Sequence, residues 1–391
     1  MMNKISHLAI VGAGPAGASA AIRLAQKGFR ITLIERERFP RQKLCGEFIS
    51  PECLRHFRAL GVFEEMLAAG GERIVETAFY AANGKRVGVP SKWFNDEGGA
   101  LSLSRAEMDF RLLERAKSLG VEILEEFSVV KLSYEKDEIR AVNLRARDGG
   151  AKEIFADLFV DATGRARVLG KLAEKQKFQI PNQKSQISNR LVGFKTHLEN
   201  VSLERGLCEI YIFRGGYGGL SYVENGSANF CFLVRANVVR EFSSDAEQII
   251  QNLIFQNKRA AETLRGARPV RDWLAVSVDG FGEKNLRAAK NLFAVGDAGA
   301  FIDPFTGSGM LMALESAEIL AAAVIENFSA DAIAEKYKTE HARRFGRRLF
   351  VCSLLRRVAF APALAQILIS ALSVGNTPRK FLARATRPRE V

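Results

Sequence analysis

The sequence predicts an α/β protein made of a discontinuous Rossmann-like domain that binds a dinucleotide, a mostly antiparallel β-sheet domain, and a helical C-terminal tail. Three patterns predict this class: a glycine-rich strand–helix–strand signature at the start of the chain, alternating apolar and polar segments in its middle, and a basic, apolar helical pattern at its end. The 391 residues are 47% hydrophobic and 26% charged, which is an ordinary globular composition with enough length for two interleaved domains.

The first element is a βαβ unit, HLAIVGAGPAGASAAIRLAQKGFRITLIERE, in which two buried strands flank a helix of small residues. Gly12, Gly14 and Gly17 form a G-x-G-x-x-G turn that permits a tight bend, close approach of the backbone to a pyrophosphate, and close packing of the helix on the strand. Glu35 ends the second strand, where a carboxylate can accept hydrogen bonds from ribose hydroxyls. Arg36 could also contact a phosphate, although a solvated loop arginine is the simpler interpretation.

Three later segments accompany this unit in a fixed order. LSLSRAEMDFRLLERAKSLG carries Arg105 at the start of a helix, and EIFADLFVDATGRAR runs from a strand into a loop with Asp161 and Gly164. In NLFAVGDAGAFIDPFTGSGMLMALESAEILA, a buried strand ends at Gly296 and Asp297, and a glycine-containing loop leads into a long helix. Four motifs at these separations are far more specific than the first motif alone.

The set resembles the flavoprotein oxidoreductases of the p-hydroxybenzoate hydroxylase type and, among them, the geranylgeranyl reductase family, over roughly the first 320 residues. The resemblance implies FAD as cofactor and NAD(P)H as a transient electron donor that needs no second Rossmann domain. It implies that Arg105 contacts the FAD phosphates, that Asp161 and Gly164 lie by the FAD crevice, and that Asp297, after Gly296, bonds the ribitol. It also implies that the isoalloxazine is lined by Pro304, Gly307, Gly309 and Met310.

The segment PRQKLCGEF resembles the family's loop of a basic residue, Lys, Cys and Gly, which passes beside the flavin; the matching residues are Arg41, Lys43, Cys45 and Gly46. Saturating a C=C bond requires a hydride on one carbon and a proton on the other. A thiol near Lys43 and Arg41 could supply that proton, which makes Cys45 a catalytic candidate. A small residue that lets the loop pack tightly is the alternative. Lys43 and Glu47 are further acid–base candidates.

The domain organisation follows from these positions. We expect the FAD-binding domain over 1–73, 101–169 and 285–326, the substrate-binding domain over 74–100 and 170–284, and a basic, apolar helical region over 327–391. Residues 128–160 are predicted to form three alternating strands joined by turns. A sheet over the flavin would supply an apolar pocket, although alternate residues of each strand face the other side. Candidate lining residues are Phe213, Tyr217, Tyr222, Phe230 and Phe232.

The charge is concentrated in the tail. The net charge is +13, and residues 338–391 contain twelve Lys or Arg against two Glu. A basic tail on a nearly neutral body argues against nucleic acid and favours contact with an anionic membrane surface, the alternative being a helix pair packed on the FAD domain. The five cysteines form no C-x-x-C pair, so neither a metal, an iron–sulfur cluster nor a disulfide framework is expected. We expect a cytoplasmic protein, with peripheral attachment to the inner membrane face as an option.

The functional prediction is an FAD-dependent oxidoreductase that reduces a double bond in a lipophilic, unsaturated small molecule. The tryptophan-containing tunnel segment of prenyl-lipid reductases is absent, which leaves hydroxylation of an aromatic or polyketide-like substrate as a close alternative. Trp93 and Trp273 do not lie in the Trp-x-Trp-x-Ile-Pro segment of flavin halogenases, so halogenation is not expected. A noncatalytic FAD-binding partner protein is the alternative of another class.

Overall fold

A computed structural model describes residues 5–94, 99–177 and 190–387, so parts of the predicted substrate domain and the two chain ends lie outside the described residues. The strands are β1 His7–Val11, β2 Arg30–Ile34, β3 Phe48–Ile49, β4 Glu72–Ile74, β5 Glu76–Tyr80, β6 Arg86–Pro90, β7 Ala100–Ser102, β8 Glu122–Leu124, β9 Phe127–Glu135, β10 Glu138–Ala146, β11 Ala151–Phe155, β12 Leu158–Asp161, β13 Leu191–Glu199, β14 Leu207–Phe213, β15 Gly216–Tyr222, β16 Ala228–Arg235, β17 Arg268–Pro269, β18 Leu274–Val278, β19 Gly282–Glu283, β20 Leu292–Ala294 and β21 Ala300–Phe301. The helices are α1 Pro15–Ala25, α2 Cys53–Leu60, α3 Phe63–Ala68, α4 Arg105–Ser118, α5 Val168–Lys177, α6 Ala236–Glu241, α7 Ala246–Asn252, α8 Lys258–Leu264, α9 Gly309–Glu326, α10 Ala330–Ala359, α11 Pro362–Leu372 and α12 Asn376–Ala385.

The nucleotide-binding part is built on a parallel sheet in the order β20–β12–β1–β2–β8. Its strands are apolar on both sides because both faces are covered. Helices α1, α4 and α9 share one core with Ile10 and Leu33, and the antiparallel strands β9–β11 cover the other face around Val142 and Phe159. The Rossmann-like α/β fold predicted from the glycine signature is therefore confirmed.

The second part is a larger sheet in the order β17–β13–β16–β15–β14–β5–β6, with β18 also paired to β13. Its pairings are antiparallel except for β14 with β5, which run parallel. Helices α6–α8 pack on one face through a core that includes Tyr211, Phe213 and Phe230. The opposite face is turned toward the carboxyl ends of the parallel sheet, and the site lies between the two.

The C-terminal helices pack on both parts. Helix α10 lies along α9, where Arg348 forms a buried ion pair with Glu315 (2.9 Å). The Tyr337 hydroxyl of α10 also donates to the Ala294 carbonyl at the end of β20 (2.7 Å). Helix α11 packs on the large sheet through Ala365 and Ile369. Among the described residues no single helix is long and apolar enough to cross a membrane; α10 and α11 pass that test only as a pair bent by 111°.

Candidate active site

A cavity of about 1090 Å³ lies between the carboxyl edge of the parallel sheet and the uncovered face of the large sheet. Parallel strands place their following loops at one edge, so the loops after β1, β2, β12 and β20 meet there. The cavity wall is completed by the loop of residues 41–48, which we call the Cys45 loop, by the segment before α9, and by the inner sides of α10–α12. The glycine turn, the Cys45 loop and the segment before α9 thus border the same space.

The glycine signature forms one end of the cavity. A Cβ added to Gly12, whose φ is +101°, would lie 2.3 Å from the Ala162 carbonyl oxygen, and one added to Gly17 would lie 1.8 Å from the Gly12 oxygen. These two glycines permit close packing of the turn on the sheet, whereas Gly14 faces the cavity. Helix α1 begins after Gly14 without a side-chain cap, so the amides of its first turn are available to a diphosphate.

Two guanidinium groups stand beside this turn. A Cβ added to Gly14 would lie 3.7 Å from Arg105 Nη2 and 3.8 Å from Arg41 Nη2. Both arginines are fixed by the buried Asp109, at 2.7 Å from Arg105 and 3.0 Å from Arg41. Arg105 was predicted to contact the FAD phosphates, which stays a prediction, whereas no cofactor role was predicted for Arg41 and none for Asp109. The spacing of Asp109, four residues after Arg105 on a helix, was the signal available.

Glu35 lies beside the same turn and accepts hydrogen bonds from the backbone amides of Ala13 and Arg36, both at 3.0 Å. The Arg36 side chain is largely exposed, although the residue borders the cavity. Asp161 does not line the cavity; its carboxylate accepts from Thr163 (2.6 Å) and from the Gly170 amide (2.9 Å) and thereby shapes the loop. Gly164, with φ of +66°, borders the cavity in that loop.

Two ionisable groups in the cavity wall have shifted pKa values. Burial raises the pKa of Asp297 to about 6, although the charges of Arg165, Arg105 and Lys43 act to lower it. Enclosure by the cavity walls, together with the charges of Arg41 and other arginines, lowers the pKa of Lys43 to about 8. Both groups can therefore exchange a proton near neutral pH, a property typical of functional sites.

The segment before α9 contributes Pro304, Gly307, Gly309 and Met310 to the cavity wall, together with the neighbouring Gly296. Gly307 has φ of +62°, and a Cβ there would lie 2.8 Å from the Phe48 ring. Asp303 fixes the segment because it accepts from the Tyr217 hydroxyl (2.8 Å) and from the Phe305 amide (2.9 Å). Helix α9 begins here without a side-chain cap, so its positive end suits a negatively charged ring.

The Cys45 loop crosses between this segment and the large sheet. Cys45 is half-buried and borders the cavity, and its sulfur accepts the Glu47 amide at 3.3 Å. Asn229 on β16 donates to the Cys45 carbonyl at 3.3 Å. Burial lowers the pKa of Arg105, but Asp109 and a hydrogen bond with Cys45 raise it above its ordinary value. The thiol is thus placed at the cavity beside a permanent positive charge.

Glu47 occupies a buried polar cluster behind the loop. Its carboxylate accepts from Lys195 Nζ (2.5 Å), His197 Nε2 (2.7 Å) and the Arg105 amide (2.8 Å). Lys195 also donates to the Lys43 carbonyl at 3.2 Å. Burial alone would raise the pKa of Glu47, but the hydrogen bond from His197 and the charge of Lys195 lower it.

The three donors and the lowered pKa indicate that the Glu47 carboxylate is ionised and holds the loop in place, while its role as an acid–base group stays a prediction. Lys195 and His197 were not predicted as site residues. Their signal was a lysine and a histidine, two positions apart, that follow the apolar first half of strand β13. Residues i and i+2 of a strand share one face, so the spacing alone brings both side chains to the same place.

The predicted substrate lining is only partly correct. Tyr217 faces the cavity, but Phe213, Tyr222, Phe230 and Phe232 belong to the core under α6–α8 on the other face of the sheet, and of these four only Phe232 also borders the cavity. The cause is strand alternation: each strand is apolar on both faces, so aromatic residues alone do not identify the cavity side. The cavity face carries instead Phe79, Val87, Ile210, Ile212, Cys231 and Leu233.

These features fit FAD. The Gly14 turn, the start of α1 and the two arginines suit its diphosphate, and Glu35 suits a ribose. The segment before α9 and the Cys45 loop border the part of the cavity that remains for the flavin ring. The described residues contain no group of three or more His, Cys, Asp or Glu side chains arranged to hold a metal ion.

Comparison with known proteins gives a family and a fold. A family model described as an FAD binding domain matches residues 6–350. The chain is 26% identical over 355 residues to a digeranylgeranylglycerophospholipid reductase of Methanosarcina acetivorans, covering 88% of this chain and 81% of that protein. It is 25% identical over 369 residues to a flavin-dependent halogenase of Armillaria mellea, covering 88% and 73%.

Solved structures agree on the fold. The flavin-dependent brominase Bmp2 matches with a TM-score of 0.81 at 17% identity, covering 97% of this chain and 93% of that chain. A geranylgeranyl bacteriochlorophyll reductase-like protein of Thermoplasma acidophilum matches with a TM-score of 0.79 at 17% identity, covering 98% and 96%. Both the reductases named by the sequence resemblance and the halogenases set aside there are therefore among the relatives.

Proposed function

The chain belongs to the family of proteins with this FAD binding domain and is an FAD-dependent oxidoreductase, and we propose that it saturates a double bond in a lipophilic, unsaturated small molecule with NAD(P)H as electron donor. Bound FAD would supply the hydride. The apolar face of the large sheet would hold the substrate, because the apolar side chains of Val87, Ile210 and Ile212 border the cavity and match a lipophilic molecule. The positive groups Arg36 and Lys43 in the cavity wall suit the phosphates of the donor.

The observation that carries this proposal is the placement of Cys45. The reduction adds one hydride and one proton, so the protein must hold a proton beside the carbon that receives no hydride. Cys45 borders the cavity together with the segment before α9 and the apolar sheet, and the loop that carries it is fixed through Glu47 and Lys195. Lys43, whose pKa is about 8, could restore the proton from solvent.

Hydroxylation of an aromatic substrate is the second candidate. Phe305 lies with its ring 5.5 Å from Phe79 and 5.1 Å from Tyr217, so an aromatic cluster stands in the cavity wall. Aromatic side chains in such edge and tilted arrangements favour a planar ring as ligand. The reductases and halogenases among the relatives argue against the noncatalytic alternative.

Product analysis separates the two reactions. The protein with bound FAD is incubated with NADPH and either a polyprenyl lipid or a long-chain alkyl phenol, with and without oxygen, and products are identified by mass spectrometry. The proposal predicts a polyprenyl product with two added hydrogen atoms, formed without oxygen. A phenol product that gains one oxygen atom, formed only in the presence of oxygen, would establish the second candidate instead.

Cysteine substitutions test the proton donor within that assay. Cys45→Ala should lower the rate of product formation by about 10²–10⁴, the usual effect of removing a general acid, while the FAD content stays unchanged. Cys231→Ser is the matched control, because Cys231 is a free thiol that borders the same cavity. Equal rates for Cys45→Ala and Cys231→Ser would eliminate Cys45 as proton donor.

A further inference from the structure

The outer sides of the three C-terminal helices expose large apolar side chains. The C-terminal apolar face, as we call it, consists of residues that are each between 53% and 88% exposed: Phe350, Leu354, Leu364, Ile367, Val374 and Phe381. A single exposed apolar residue is ordinary on a protein surface, but six within 32 residues, five on three consecutive helices and Val374 in the turn between α11 and α12, require an explanation.

The spacing of these residues places them on defined helix faces. On α10, Arg347, Phe350, Leu354 and Arg357 follow one another at steps of three, four and three, which forms one stripe of apolar residues bounded by arginines. On α11, Leu364 and Ile367 share a face, and on α12 Phe381 is exposed between Lys380 and Arg384. Helices α10 and α12 thus combine exposed apolar residues with basic ones, and α11, which lies between them in the chain, carries exposed apolar residues without basic ones.

The charge of this region selects its partner. Residues 349–386 contain no Asp or Glu, and their basic residues are Arg356, Arg357, Arg379, Lys380 and Arg384. A second copy of the chain would bring one positive face against another, which is unfavourable. An anionic lipid surface offers negative charge to the basic residues and, just beneath its headgroups, an apolar layer that the aromatic and aliphatic side chains can enter.

The opposite sides of the same helices line the cavity. Leu355 and Val358 of α10, Leu368 and Leu372 of α11, and Leu382 of α12 border it. Because a helix with its side chains is about 10–12 Å across, one layer of helix separates the exposed apolar face from the substrate space. Few polar contacts join these helices to the sheet, such as Arg379 to the Gly88 carbonyl (3.3 Å) and Lys85 to Ser370 (3.2 Å).

We propose that the C-terminal apolar face docks on the surface of an anionic lipid bilayer, so that a lipophilic molecule reaches the cavity between α10, α11 and α12 without crossing water. Docking itself follows from exposure and charge, whereas the role as a substrate entrance rests on the proposed function. Each basic residue near such a surface strengthens binding about fivefold. Each apolar side chain strengthens it further, because its apolar surface is removed from water.

Vesicle binding tests the docking without any substrate. The full chain with bound FAD is mixed with vesicles of phosphatidylcholine, with or without phosphatidylglycerol, and the bound fraction is measured by flotation. We expect binding to the anionic vesicles that weakens with salt, and a loss of at least about tenfold in partition coefficient for Arg357→Glu with Lys380→Glu. Phe350→Ser with Ile367→Ser should weaken binding by a similar factor.

Matched controls define the result that overturns the proposal. Lys27→Glu and Phe155→Ser change an exposed lysine and an exposed phenylalanine on other surfaces and should leave binding unchanged. The proposal is overturned if the unmodified chain does not float, if the controls lose as much binding as the variants, or if Phe350→Ser instead abolishes a dimer formed without lipid. A chain that reduces detergent-dispersed lipid yet fails to float would overturn docking alone.

Discussion

Glu47 fixes the Cys45 loop by charge. Its carboxylate, Lys195 and His197 are all buried, and such an ion pair is favourable only while each charged group retains its partners. Three donors satisfy the carboxylate, and Lys195 reaches the backbone of the loop itself. Any change that leaves the ammonium group without its counter-charge should therefore loosen the loop that carries Cys45.

Glu47→Gln tests this role. We expect a loss of about 3 kcal/mol in the free energy of unfolding at pH 7, at the lower end for removing one member of a buried pair, because the amide still accepts a hydrogen bond. The measurement is urea unfolding of the protein with bound FAD. Glu241→Gln is the control, since Glu241 pairs with Arg214 in solvent (2.7 Å) and such pairs contribute little.

The same pair predicts a pH dependence. Because the pKa of Glu47 in the folded protein is below its ordinary value of 4.5, its stabilisation is present above pH 4.5 and is lost as the pH falls through the lower, folded pKa. The stability difference between the unmodified chain and Glu47→Gln should therefore shrink below pH 4.5. A difference that stays constant down to pH 3 (about one and a half units lower) would show that the carboxylate charge is not what stabilises the loop.

Site residues were predictable where local chemistry alone requires them. The glycines of the turn and Glu35 follow from one contiguous segment, because steric limits and hydrogen bonding there depend on neighbours in sequence. Lys195 and His197 contact Glu47 across about 150 residues, and a distance of that kind follows only from strand pairing. The sequence shows Lys195 and His197 in β13, but nothing near them in the chain identifies Glu47 as their partner.

Helix α1 depends on the absence of one side chain. Gly17 faces the Gly12 carbonyl so closely that even a methyl group would overlap it. Gly17→Ala should therefore displace the helix from the turn, cost about 1–3 kcal/mol or more, and abolish retention of FAD on gel filtration.

Gly346→Ala is the matched control for Gly17→Ala. Gly346 also lies within a helix, α10, but a Cβ there meets nothing within 4 Å. This substitution should leave FAD bound and stabilise the helix by up to about 1 kcal/mol. If both variants retain FAD equally, close packing of α1 on the turn is not what shapes the diphosphate site.

The strands show which of their features can be predicted from sequence patterns. Residues 128–160 were predicted as three strands but form four, β9–β11 and most of β12, because the chain leaves the antiparallel sheet after β11 and enters the parallel sheet with β12. The turns between β9, β10 and β11 are local and were predictable. The orientation of β14 was not predictable: Ile210 and Ile212 face the cavity while Tyr211 and Phe213 face α6–α8, and both sets are apolar. Only the packing of helices on one face distinguishes them.

At the scale of the whole molecule, one cavity combines parts that are distant in the sequence. The parallel sheet supplies the FAD site, the large sheet supplies an apolar wall, and α10–α12 close the remaining side. The sequence predicted a basic helical tail but not that its inner face borders the cavity, because docking of a terminal helix depends on the surface it covers. On the proposed function, this closure would allow one chamber to hold both FAD and a lipophilic substrate.

The most direct test of that chamber is the crystal structure of the protein with FAD and a polyprenyl lipid. We predict the flavin ring against the segment 304–310, the lipid along β14, β5 and β6 beneath α11, and the Cys45 sulfur facing a double bond of the lipid. A lipid bound outside the cavity, or a flavin ring separated from the large sheet by α11, would contradict the account.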